Sequence, residues 1–205
     1  MSNIQMLAST WKTCTNCDLY KCRRQVVFGA GGSRASLLVL ATHPGREEDL
    51  QGTPHVGEAG QRVRTLLREL HIPKSLVWLD TLLACVTPEN REPQRAELDA
   101  CRPRLHELIN LLDPDLILAM GKLTVTELTG RRESIAELRG TFFRAQIPGR
   151  YVDYSVPVLA TYHPGQFLRN PDSSEFGNER KWTEDFSRAL AIAKKLKEIR
   201  KNDER

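Results

Sequence analysis

At 205 residues, 40% hydrophobic and 27% charged, the chain is long enough to fill one core and too short for two full domains, so residues 1–205 read as a single domain. No apolar stretch is long enough to cross a bilayer, and Met1 to Lys12 lacks the apolar core of a secretion signal; both predict a cytoplasmic protein without membrane contact. The net charge of +4 permits a nucleic-acid partner, although the run Lys194, Lys195, Lys197, Arg200, Lys201 carries much of the excess and reads as a solvated helix face.

In chain order, the first feature is Cys14-Thr15-Asn16-Cys17, a common half-site for zinc or an iron–sulfur cluster. Ala35 to Thr42 is a short continuous apolar run, the pattern of a strand buried on both faces, and it ends in His43-Pro44-Gly45. Gly60 to Leu70 puts Val63, Leu66, Leu67 and Leu70 on one face of an amphipathic helix. Leu76 to Cys85 predicts a second strand. After the Pro-rich loop Thr87–Pro93, Arg95 to Leu112 predicts a helix carrying Cys101. Leu116 to Met120 predicts a third strand, stopped by Gly121, and Leu123 to Leu128 a helix. Val156 to Thr161 predicts a fourth strand, which again runs into His-Pro, and Trp182 to Ile199 predicts a closing helix.

Five cysteines, an odd number, argue against a secreted disulfide framework. In a reducing compartment a Cys-x-x-Cys is more often a metal half-site or redox motif than a disulfide. Cys14 and Cys17 with the remote Cys85 and Cys101 would close a long loop on one metal centre. Cys22 is left over, so it could replace one of the pair. The plainer reading is a set of small buried thiols.

Strand and helix alternating at this spacing predict a parallel sheet with crossover helices on both faces. In such sheets the site forms beyond the carboxyl ends of the strands. His43 and His163 both lie in His-Pro loops at that edge, which turns them from ordinary structural histidines into candidates for chemistry.

Several ordered segments resemble the iron–sulfur uracil-DNA glycosylases (family 4). Gly52-Thr-Pro-His-Val-Gly-Glu-Ala-Gly60 is similar to the family's Gly-x-Pro-Phe-Val-Gly-x-Ala-Gly, and Pro44 to Asp49 to the Pro-Gly-x-x-Glu-Asp end of its first motif. Pro88 to Pro93, Cys101-Arg102-Pro103, Leu138-Arg139-Gly140 and Thr161-Tyr162-His163-Pro164 with Phe167 to Pro171 match later segments, so the resemblance covers about Cys14 to Trp182. It implies a three-layer α/β/α sandwich around a short four-stranded parallel sheet, acting as a monomer on DNA. It further implies a [4Fe–4S] cluster on Cys14, Cys17, Cys85 and Cys101, with Cys22 spare. His163 would donate to the oxygen of the departing base. Gly165, Gln166, Phe167, Leu168 and Arg169 would form the DNA-binding loop, with Phe167 and Leu168 as minor-groove wedges and Arg169 on a phosphate.

The departures fall in the base pocket. Thr42-His43-Pro44-Gly45 lacks the family's usual acidic residue, His55 replaces the aromatic ring that stacks on the base, and Thr81 replaces the asparagine that reads the uracil edge. A hydroxyl cannot supply an amide's paired donor and acceptor at the same reach. His43 stands where the best-studied uracil-DNA glycosylases place a water-activating aspartate, and Gly45 where they place a ring that blocks C5 substituents. These changes predict a glycosylase retuned to a C5-modified pyrimidine, such as the modified cytosines of phage DNA, in a defence role. A conventional uracil-DNA glycosylase and a non-catalytic DNA-binding module with a structural cluster are the alternatives.

Overall fold

The apolar runs become the buried centre of a sheet. The computed structural model describes residues 2–149, 151–168 and 176–203. Strands β1 (Ala30–Gly31), β2 (Leu37–Ala41), β3 (Val77–Thr81), β4 (Leu116–Met120), β5 (Phe142–Ile147) and β6 (Tyr154–Thr161) form one sheet in the order β1-β3-β2-β4-β6-β5. The inner four are parallel, as expected, with Ala41 beside Thr81 and Met120 beside Thr161. Leu37 to Leu40 are all fully buried, which explains why their run does not alternate.

Helices α1 (Asn3–Trp11), α2 (Arg46–Gln51), α3 (Glu58–Glu69), α4 (Arg95–Leu112), α5 (Lys122–Thr129), α6 (Ile135–Leu138), α7 (Gly165–Leu168) and α8 (Phe176–Asp203) complete the fold. From β2 the chain winds one way to β3 and then back across β2 to β4, so right-handed crossovers put α3 and α4 on opposite faces. Side-chain contacts agree: α4 is ion-paired to α5 through Arg102 and Glu127, while α3 reaches α8 through Arg62 and Glu179. The architecture is the expected α/β/α class. The winding reverses at β2, which places a crevice at the carboxyl ends of β2, β3, β4 and β6.

Two expectations are corrected. Among the described residues the sheet has six strands, because β1 and β5 add antiparallel edges. The strand expected over Leu76–Cys85 ends at Thr81; the amides of Leu82 and Leu83 then donate to the Ala41 and Thr42 carbonyls, and the chain turns. Arg46–Gln51, for which the sequence predicted no element, is a helix. No helix among the described residues is long and apolar enough to cross a membrane.

Candidate active site

Both histidines arrive at the crevice, and the backbone fixes each ring in a different tautomer. His43 Nδ1 lies 2.9 Å from the Pro44 carbonyl oxygen. That oxygen can only accept, so Nδ1 carries the hydrogen and neutral His43 presents its lone pair at Nε2. At His163 the relation is inverted. The Gly165 amide donates to Nδ1 at 3.1 Å, so the imidazole is neutral and its hydrogen is on Nε2. One ring is set to take a proton and the other to offer a hydrogen bond.

The mounting of His163 is tight. A Cβ at Gly121, where φ is +90°, would stand 3.2 Å from His163 Cβ, and one at Gly165 would stand 3.1 Å from Nδ1. Gln166 Oε1 accepts from the His163 amide at 3.3 Å. The end of β6 is tied to α8, since Thr161 Oγ1 donates to Asp185 Oδ2 at 2.9 Å and Arg139 binds both oxygens of that buried carboxylate. Asp185 falls on the apolar stripe of α8, three residues after Trp182. A carboxylate in that position is the signal by which the sequence could have exposed it.

On the opposite wall, Glu48 caps two helices at once. Its carboxylate, 8% exposed, accepts from the Gly45 amide at 3.0 Å at the start of α2. It also accepts from Val56 at 2.8 Å and Gly57 at 2.7 Å at the start of α3. The 43–45 and 55–57 loops therefore share one anchor. Glu48 lies within the segment that carries the family resemblance, yet sequence reasoning gave it no role. It also removes the space expected beside Gly45, because a Cβ there would meet Glu48 Oε2 at 2.8 Å.

The pocket residues are placed together, but their polar groups are largely committed. His55 is 6% exposed in a left-handed backbone conformation (φ 56°), with Nε2 donating to the Asp80 carbonyl at 3.2 Å. Burial pushes its pKa below the ordinary value, so the ring is a neutral strut against β3 rather than an exposed stacking face. Thr81 Oγ1 donates to the Leu83 carbonyl at 2.6 Å, and Thr42 Oγ1 pairs with Thr124 Oγ1 at 3.1 Å on α5. None of these side chains offers a paired donor and acceptor.

In the loop expected to bind DNA, Gln166 and Leu168 are half-buried in α7, but Phe167 corrects the wedge expectation. It is 5% exposed and packs on Trp182 with ring centroids 5.7 Å apart, so it supports the loop from beneath. Arg169 lies outside the described residues.

Away from the crevice, Cys14, Cys17, Cys85 and Cys101 line one recess, and exposed Cys22 does not. Arg23 Nη1 approaches Cys85 Sγ at 3.4 Å and Nη2 binds the Cys14 carbonyl, while the Ala84 amide reaches Cys101 Sγ at 3.4 Å. Burial pushes the Cys85 thiol up to about 11, and Arg23 acts against that shift. Among the described residues no three His, Cys, Asp or Glu side chains group as ligands of a metal ion. Four thiols around one hollow are the donor types of a thiolate-held iron–sulfur cluster or zinc ion.

A doubly wound sheet with a crevice at the carboxyl ends of its strands, two histidines on the loops there and a separate recess caged by four thiols is the plan of an α/β enzyme. The chain belongs to the uracil-DNA glycosylase superfamily, whose family model matches residues 28–190. It is 34% identical to the type-4 uracil-DNA glycosylase of Saccharolobus solfataricus over 83% of this chain and 80% of the relative. The enzyme of the same name from Pyrobaculum aerophilum is also 34% identical, over 82% and 86%. That from Thermotoga maritima is 32% identical over 94% and 95%.

Proposed function

We propose that the protein hydrolyses the N-glycosidic bond of a pyrimidine in DNA, uracil foremost, and leaves an abasic site. The opposed tautomers of His43 and His163 are the observation that carries this reading. A base inside the duplex cannot be reached, so the target nucleotide must first be flipped into the crevice. As the bond breaks, its electron pair passes to the base and the sugar gains positive charge. His163 Nε2–H donates to the base oxygen as negative charge grows there. His43 Nε2 takes a proton from water as the water oxygen bonds to the sugar carbon. Glu48 and the Asp185 clamp hold the two loops in register throughout.

Specificity is the less constrained part. Without an amide beside the base, the uracil edge is read by fewer paired contacts, and discrimination should relax. The reading of a C5-modified pyrimidine, with its defence role, now rests on Thr42 alone, because Glu48 fills the side of Gly45. Uracil is therefore placed first. Duplexes bearing uracil, hypoxanthine or a C5-modified cytosine, followed by alkaline cleavage of abasic sites, decide the matter. Release from none of them would leave a DNA-binding module. His43→Ala is expected to lower release about 100-fold; an unchanged rate would remove His43 from the chemistry.

The cage is assigned to a [4Fe–4S] cluster held by the thiolates of Cys14, Cys17, Cys85 and Cys101. When bound, it pins the amino-terminal segment to the Leu83–Cys85 turn and α4, and it takes no part in bond breaking. Cys17→Ser is expected to lose the iron and its visible absorbance, whereas Cys22→Ser keeps both. Equal iron in the two variants would overturn the ligand set.

A further inference from the structure

A recess of about 490 Å³ lies away from the histidine rim, along β5, and the proposed chemistry makes no use of it. β5 closes one side of the sheet, and among the described residues no further strand lies beyond it. The recess is lined by Thr129, Arg131, Phe142, Phe143, Arg144 and Pro157. Its volume falls within the range of ordinary ligand pockets, about 300–1,000 Å³.

Its composition is specific. Phe142 is 38% exposed, and the Arg188 guanidinium of α8 lies 4.8 Å from its ring centroid. Phe143 projects to the other face of β5, where Arg131 lies 5.4 Å from its centroid. Arg144 Nη1 donates to Ser155 Oγ at 2.7 Å and Arg188 Nη1 to the Gly140 carbonyl at 3.0 Å. Both acceptors are neutral, so among the described residues these two cations have no carboxylate partner. Arg131 shares Glu133 at 3.4 Å, but both side chains are about half exposed and the pair is screened by water.

The exposed Phe142 ring, with the Arg144 and Arg188 guanidinium groups on its face of β5, matches a planar base on an anionic backbone. The recess is also within reach of the rim. Phe142 is paired with Leu159, two residues before Thr161 on β6, a separation of about 7 Å along the strand. We infer that this recess is a second DNA contact, taking an unstacked base and adjoining phosphates of the strand that flanks the flipped nucleotide. The inference rests on DNA being the substrate, as proposed above, but not on the histidine chemistry.

The test is fluorescence anisotropy of the full chain with a labelled single-stranded oligonucleotide of unmodified bases, repeated across salt concentrations. Arg144→Gln/Arg188→Gln is expected to bind about tenfold more weakly at low salt. Its dependence of log affinity on log salt should flatten by about 1.4, since each lost phosphate contact on a single strand is worth about 0.7. Phe142→Ala should weaken binding about tenfold with the slope retained, because stacking is lost and charge is not. Arg144→Lys/Arg188→Lys should keep the wild-type slope. An unchanged affinity and slope in the Gln pair would overturn the site. So would an equal loss of slope in the Lys pair, which would mark damage to β5 rather than missing charge. A wild type that binds the probe but releases no base would sink the proposed chemistry while leaving this contact standing.

Discussion

His163→Ala is expected to lower uracil release about 10²–10³-fold, the usual loss when one preorganised donor to a developing anion is removed. The melting temperature and the affinity for uracil-free DNA should stay near those of the wild type. This separation follows from how the residue is held. His163 is only half-buried, and the ties that support its loop lie in other residues: Thr161 and Arg139 on Asp185, and Gln166 on the backbone. Gly165→Ala supplies an independent check, because the added Cβ would stand 3.1 Å from Nδ1 and displace the ring without removing it. It should lower release in the same direction. A His163→Ala rate within threefold or so of wild type would exclude the donor role.

The sequence was most informative where burial is complete and least where the fold turns or ends. The inner strands were legible because Leu37–Leu40 and Leu116–Met120 are enclosed on both faces, and enclosure on both faces demands a continuous apolar run. β5 was not, because its residues alternate between exposed and buried only beyond Phe142 and Phe143, two aromatics at its open start. Leu82 to Cys85 are as buried as the strand before them, so hydropathy could not show that the ladder stops at Thr81 and delivers Cys85 to the cage. The same limit applies in the crevice. Residue types at positions 42, 43, 55, 81 and 163 were readable, but their roles depend on partners elsewhere. Pro44 and Gly165 set the tautomers through backbone atoms, Thr124 and Leu83 occupy the two threonine hydroxyls, and Trp182 buries Phe167.

Asp80→Ala is expected to destabilise the protein by about 3–5 kcal/mol, the cost of leaving a buried cation without its anion. For a domain of this size that corresponds to a fall in melting temperature of roughly 6–20 °C. Asp80 is 1% exposed and Arg104 is completely buried, with Nη1 at 3.1 and 3.2 Å from the two carboxylate oxygens. The carboxylate also accepts from the Thr81 amide at 2.7 Å and from Trp78 Nε1 at 3.3 Å. Arg104 Nη2 spans the Thr81 and Leu82 carbonyls, its guanidinium lies 5.6 Å from the Phe28 ring, and its Nε has no partner. Without Asp80 this charge would lose its carboxylate and keep only two carbonyls, the Phe28 ring and the Cys101 sulfur around it in a dry interior. In the sequence they are an aspartate inside an apolar run and an arginine next to Leu105 on α4, and sequence reasoning gave neither a role. Burial alone does not make such a pair a net stabiliser, because apolar replacements of both partners often restore what single replacements lose. Asp80→Leu/Arg104→Met therefore separates a packing role from a positioning role. The pair bonds Thr81 at both its amide and its carbonyl, and the Asp80 carbonyl holds His55, so it sets two walls of the pocket. If positioning is its role, the double variant should recover most of the melting temperature while kcat/KM on uracil DNA stays at least tenfold low. Full recovery of both would reduce the pair to packing, and an Asp80→Ala melting point within a degree or so of wild type would contradict the buried-charge account itself.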